Sequence, residues 1–201
     1  LLLPCGVPFI AHTASSSNYV LRGINVPIVD GVINIGVSAP MISVKNAGRY
    51  VHTTLTSENN VFISHDNGSS CISGIIAVTD GYSLTWGTDY VIETAVSCSN
   101  VQDVKTLNDK VILSYSDAGG TAYLYNRIMT TNGTVISSIG EKVQLSGDSA
   151  GGRGTTITIL PNQSVLTTGT RTGSNNPRDP RTSRLRNGPD RQPYRSLRCI
   201  P

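Results

Sequence analysis

From Val104 to Leu145 the chain breaks into short pieces, VKTL, KVILSYS, TAYLYNRIMT, TVISS and EKVQL. Within them apolar and polar side chains alternate, the pattern of a strand with one buried and one wet face. Between them stand Asn108-Asp109, Asp117-Ala118-Gly119-Gly120 and Asn132-Gly133. These residues punctuate strands because they accept positive φ or bond their own backbone. Asn132-Gly133 predicts a tight hairpin, since both residues tolerate positive φ.

Sliding the chain against itself by about 50 residues brings the same landmarks into line. Leu55 falls on Leu107, VFIS at 61–64 on VILS at 111–114, and Asp66-Asn67-Gly68 on Asp117-Ala118-Gly119. IAVTDG at 76–81, with its Asp80-Gly81 turn, falls on IMTTNG at 128–133, and Trp86-Gly87 falls on Ile139-Gly140. A partial copy, IVDGVINIG at 28–36, precedes these two, and another, TITILPNQSVLTT at 156–168, follows. One four-stranded unit cannot bury both of its apolar faces, so such units stack on one another. The expected fold is all-β, with repeated four-stranded antiparallel units making an incomplete or fragmentary β-propeller. A β-sandwich is the alternative.

Ser64-His65-Asp66-Asn67-Gly68-Ser69-Ser70-Cys71 follows the pattern Ser-x-Asp-x-Gly-x-x-Trp, with Cys71 in the aromatic's place. Tyr115-Ser116-Asp117-Ala118-Gly119 keeps its Asp-x-Gly core. In this, residues 20–168 resemble the Asp-box β-propeller repeats of secreted, sialidase-like proteins. The resemblance implies an extracellular or secreted protein, with the Asp-box turn between outer strands. For a sialidase it would also imply an arginine cluster, a tyrosine nucleophile paired with a carboxylate, and an acidic aspartate from separate blades. The arginines of this region are Arg22, Arg49, Arg127 and Arg153, and no three of them can be assigned to one cluster. Tyr115 and Asp117 are read as strand and turn. No catalytic residue is assigned, and a truncated sialidase-like hydrolase is the last of three functional readings.

Composition fits sheets with uncharged polar faces. Charged residues make up 14% of the chain, against about 25% in ordinary domains. The formal charge of +3 is unevenly spread. Through Gly169 there are 8 basic and 11 acidic side chains, whereas 170–201 holds 8 arginines and 2 aspartates. With almost no aliphatic content, 170–201 is expected to be an Arg/Pro-rich disordered or extended tail. It has neither zinc-finger spacing nor stacking aromatics, so nucleic acid is not an expected partner. Residues 1–19 are set apart as an N-terminal segment, read as the remnant of a signal or as a first strand, and 20–169 as the β-repeat domain. No apolar run is long enough to span a membrane as a helix.

Cys5, Cys71, Cys98 and Cys199 form no CxxC, which argues against structural zinc. Cys71 with Cys98 is the expected disulfide inside the repeats, and Cys5 with Cys199 a second reading. His12, His52 and His65 lack metal-ligand spacing and are expected at the surface. Asp66-Asn67-Gly68 and the stretch from Asp103 to Asp109 are read as turns rather than calcium loops. No metal or cofactor is assigned. Glycosylation sequons at Asn67, Asn132 and Asn162 all fall in expected turns. Trp86, with Tyr82 and Tyr90, is the candidate ligand-stacking surface. The favoured reading is a non-catalytic recognition module for a glycan or protein. Its alternative is a structural protein of a fibre, sheath or coat, assembling with other copies of itself through exposed sheet edges.

Overall fold

The computed structural model describes residues 1–14, 20–33, 38–40, 50–57, 60–66, 72–94, 102–108, 110–116, 123–145, 155–169 and 196–198. Among these every regular element is a strand, and all pairings are antiparallel.

The strands form four sheets in chain order. In the first, β1 (Phe9–Ala14) pairs with β2 (Val20–Asn25). The chain then makes a separate hairpin of β3 (Ile28–Val29) and β4 (Val32–Ile33) before β5 (Ser38–Pro40) returns beside β2. The second sheet comprises β6 (Val51–Ser57), β7 (Asn60–Asp66), β8 (Ile72–Val78), β9 (Thr85–Trp86) and β10 (Tyr90–Glu93). The third comprises β11 (Gln102–Leu107), β12 (Lys110–Ser116), β13 (Leu124–Asn132), β14 (Val135–Ile139) and β15 (Val143–Gln144). The fourth holds β16 (Thr155–Ile159), β17 (Val165–Gly169) and β18 (Ser196–Arg198).

The second and third sheets are built alike. Three strands meander, and the fourth position is filled by two short strands against the third, β9 and β10 on β8, β14 and β15 on β13. The break between the short strands is the same in both. Gly87 N donates to the Ile76 carbonyl at 2.8 Å, and Gly140 N to the Ile128 carbonyl at 2.8 Å. Glycine is required at Gly87, because a Cβ there would stand 2.7 Å from the Thr134 carbonyl oxygen and 2.9 Å from that of Ile76. The break also inserts one residue. Trp86 pairs with Ala77 but Tyr90 with Gly74, four steps on one side against three on the other. Because side chains alternate with period two, that extra residue exchanges the faces of the strand.

Each pair of consecutive sheets encloses an apolar layer. Leu3, Val7, Phe9 and Leu21 meet Val61, Ile63, Ile75 and Ala77 between the first and second sheets. Phe62, Ile72, Ile76 and Ile92 meet Val104, Val111, Leu113, Tyr115, Met129 and Ile136 between the second and third. Ile112 meets Ile157 and Val165 between the third and fourth. The second and third sheets are therefore covered on both faces, which is why Val61 to His65 are all buried although the strand alternates. Three layers between four sheets exceed the single layer of a two-sheet sandwich. The leading strands β6, β11 and β16 lie beside one another. Thr54 and Thr106 meet there at 3.1 Å through their hydroxyls.

Several expectations are altered. Leu3, Val7 and Phe9 belong to the first apolar layer and β1 to the first sheet. Asn132 is the last ladder residue, paired with Val135. The turn is Gly133-Thr134, and of Asn132 and Gly133 only Gly133 takes positive φ, at 58°. The hairpin with both turn residues at positive φ is instead Asp30-Gly31, at 53° and 77°. Ser64 to Asp66 lie in β7 and Ile72 opens β8, so the Asp-box-like segment joins the second and third strands of its sheet rather than outer ones. Ser196–Arg198, inside the segment expected to be disordered or extended, pairs with Val165, Leu166 and Thr167. The rest of 170–201 lies outside the described residues.

Candidate functional site

Strand direction sorts the connections between strands. At one end of the sheets the turns are short, as at Asn108 and Gly133-Thr134. The segments 67–71, 95–101, 117–122 and 146–154 all join strands at the other end. Their residues lie outside those described, but the strand ends that carry them hold a polar cluster.

Its centre is Glu93, the last residue of β10. Across the boundary to the third sheet, Tyr115 Oη donates to Glu93 Oε2 at 2.6 Å. Arg127 Nε donates to the same oxygen at 3.0 Å, and Arg127 Nη2 stands 2.9 Å from it. Arg127 Nη1 donates to the Gly140 carbonyl at 2.8 Å, tying the cluster to the break between β14 and β15. Lys142 Nζ is 3.9 Å from Glu93 Oε2. It also sits 4.0 Å from the ring centroid of Tyr125 and 5.6 Å from that of Tyr115. Tyr115 and Tyr125 stack with centroids 5.6 Å apart, and Tyr123 meets Tyr125 edge-on at 6.3 Å. These three rings and a cation form a graded surface: Tyr115 is wholly buried, Tyr123 and Tyr125 are partly exposed, and Lys142 is exposed.

The electrostatics follow from this packing. Burial alone would raise the Glu93 carboxyl. The hydrogen bonds from Tyr115 and Arg127, with the charges of Arg127 and Lys142, outweigh burial and hold it below its ordinary value. Burial, with the Glu93 carboxylate beside it, pushes the Tyr115 hydroxyl well above its ordinary value. A tyrosine paired with a carboxylate is part of what the sialidase-like resemblance implies for a nucleophile. Here the hydroxyl is held protonated and the residue has no exposed surface, so this pair serves as a tie between sheets.

Other polar groups support the same end. His65 is fully buried, not at the surface as expected. Its Nε2 lies 3.0 Å from Asp89 Oδ1 and its Nδ1 3.2 Å from the Asp66 carbonyl. His52 is half-buried, and desolvation lowers its pKa against the opposing pull of Asp103. Asp103 clips the third sheet to the fourth, accepting from Ile157 N at 2.7 Å and from Val104 N at 2.9 Å. Arg22 lies in β2, two sheets away from Arg127, and Arg49 and Arg153 lie outside the described residues.

The three aromatics chosen from sequence are not brought together. Trp86 packs toward the first sheet and Tyr90 toward the third, on opposite faces of the second. Trp86 is half-buried, and its Nε1 is buried without a hydrogen-bond partner. Tyr82 is 69% exposed in the 79–84 turn at the opposite end of the sheet. That turn is organised by Asp80, whose Oδ1 accepts from Tyr82 N at 2.8 Å, Ser83 N at 2.7 Å and Ser83 Oγ at 3.0 Å. These bonds hold the Asp80 carboxyl below its ordinary value. Gly81, beside it, takes φ of 96°.

Asn132 and Asn162 sit exposed at turns. Asn67, Gly68, Cys71, Cys98, Asp117 and Gly119 lie outside the described residues, while Asp66 ends β7. Cys5 is exposed with a free thiol, and Cys199, its partner in the second reading, lies outside the described residues. Among the described residues no group of His, Cys, Asp and Glu is placed to hold a metal ion, and no helix is long and apolar enough to cross a membrane.

Sequence reasoning missed Glu93, Arg127 and Lys142 as partners of Tyr115. One signal was present: Tyr115 aligns with His65, and each is a polar ring in an otherwise apolar run. No family model matches the chain, and comparison with curated proteins finds no match.

Proposed function

We propose that this chain is a non-catalytic recognition module. In this reading its sheets are repeating four-stranded units arranged as propeller blades, and it takes an extracellular glycan at the end bearing Tyr123, Tyr125 and Lys142. The carrying observation is the partly exposed Tyr123–Tyr125 pair with Lys142 4.0 Å above one ring. A sugar offers an apolar ring face for an aromatic and hydroxyls for charged groups, and this surface supplies both. The long connections leave from the same end, where binding segments commonly sit on a rigid frame. The matching strand order of the second and third sheets and their identical glycine-marked breaks support the repeating unit. A truncated hydrolase is the weaker reading, because the Tyr115 hydroxyl is locked and buried.

The test is binding of the full chain to a panel of immobilised glycans, followed by surface plasmon resonance on the hits. At least one glycan class should bind, and Tyr123→Ala at the rim should weaken it about tenfold, the loss of one stacking contact. Thermal unfolding of the variant should match the parent. A protein ligand with no glycan bound, or glycan binding indifferent to Tyr123, would overturn the proposal.

A further inference from the structure

The ladder of β13 with β14 closes on the pair Asn132–Val135. Gly133 and Thr134 form the turn, with positive φ at Gly133 and none at Thr134. That is the two-residue hairpin with glycine first, whose central amides stay out of the ladder. An exposed asparagine side chain therefore stands next to a main-chain amide on a residue with no Cβ to shield it. Asn162 makes the contrast. It too is exposed in a turn, but its Oδ1 accepts from Ser164 N at 3.1 Å, and the next residue, Gln163, carries a side chain beside its amide. The chain's other Asn-Gly pairs, Asn67-Gly68 and Asn187-Gly188, lie outside the described residues.

The neighbouring sheet clamps the same turn. Asn60, at the start of β7, donates from Nδ2 to the Gly133 carbonyl at 3.1 Å. Gly87, in the break between β9 and β10, lies so near Thr134 that a Cβ there would stand 2.7 Å from its carbonyl oxygen.

We propose that Asn132 deamidates by attack of its own main chain, and that Asn60 sets the rate by holding the turn shut. Gly133 N bonds to Asn132 Cγ, the Cγ–Nδ2 bond breaks, and Nδ2 leaves as ammonia with the proton that Gly133 N gave up. Water then opens the cyclic imide. Cleavage at Cγ gives aspartate, and cleavage at the main-chain carbonyl carbon gives isoaspartate. The net change is amide and water to acid and ammonia. Ring closure needs Asn132 turned out of its extended geometry, which the ladder pair with Val135 resists, so the reaction runs through an opened hairpin end. Isoaspartate puts an extra carbon into the main chain and lifts Gly133 away from Asn60, so the third sheet's hold on the second loosens with age. The inference is independent of ligand binding, since Asn132 and Tyr125 lie toward opposite ends of β13.

The full chain, produced without glycosylation, is held at mildly alkaline pH and digested with trypsin at intervals. Asn132 falls in IMTTNGTVISSIGEK and Asn162 in GTTITILPNQSVLTTGTR, each with a single asparagine. Mass spectrometry should show the first peptide gaining aspartate and isoaspartate forms while the second keeps its amide. Asn60→Ala should speed the conversion about fivefold, one hydrogen bond's share of the opening equilibrium. Asn60→Asp, which keeps the shape but loses the donor, should act alike, and the far-ultraviolet dichroism of both should match the parent. An Asn132 still amidated after the free synthetic peptide has converted, equal conversion at Asn162, or a rate indifferent to both Asn60 changes would each overturn the inference.

Discussion

Replacing Tyr115 with phenylalanine isolates one bond between the second and third sheets. The substitution keeps the ring stacked on Tyr125 and removes only the hydroxyl that donates to Glu93 at 2.6 Å. A hydrogen bond to an ionised group contributes about 1.5–3 kcal/mol. Glu93 retains its contacts with Arg127, so the lower part of that range applies, about 1.5–2 kcal/mol. Tyr115→Ala also empties the space of a fully buried ring, which brings the loss to about 4–5 kcal/mol. Urea unfolding followed by the fluorescence of the single tryptophan, half-buried Trp86, reads both. In a cycle with Glu93→Gln, the two single changes should fall short of additivity by about 1 kcal/mol. Tyr115→Phe within about 0.3 kcal/mol of the parent, or full additivity with Glu93→Gln, would refute the assignment of this bond as a tie between sheets.

Two further outcomes follow from the same geometry. Because the folded Glu93 carboxyl lies below its ordinary value of 4.5, its contribution is complete above that value and is lost as the pH falls through the folded one. His52, lowered from 6.5 by burial, gives an earlier loss as the pH falls from 6.5 toward its folded value. Urea midpoints measured from pH 7 to pH 3 should therefore decline in two stages, and Glu93→Gln should flatten the lower one while leaving the upper. Gly87→Ala should destabilise by about 2 kcal/mol, because the new methyl meets two carbonyl oxygens inside 3.0 Å. An unchanged thermal midpoint for that variant would show that the break between β9 and β10 can relax.

Local features of the sequence located the strands well. KVILSYS coincides with β12, and VKTL and TVISS fall almost wholly within β11 and β14, because alternation and turn residues act over a few positions. What was lost depends on longer range. Trp86 and Tyr90 are four residues apart, and unbroken alternation would put them on one face. The extra residue at Gly87 reverses this, and nothing in the side chains around it announces a bulge. The Glu93 cluster joins residues 22 and 34 positions apart, so it exists only once two sheets are stacked. His65 looks like a surface residue until both faces of β7 are covered. Tightness of turns was legible, but which residue of Asn132-Gly133 enters the turn was decided by the register of β13 with β14.

The shared ownership of each apolar layer has a consequence for fragments of this chain. Phe62 and Leu113 come from different sheets into one apolar layer, so no cut between those sheets separates two complete cores. Nicking in any connection and parting the halves would bare a full layer of isoleucine and leucine on both products. Fragments ending between sheets would aggregate or recombine, and intact excised sheets would be poor independent folding units.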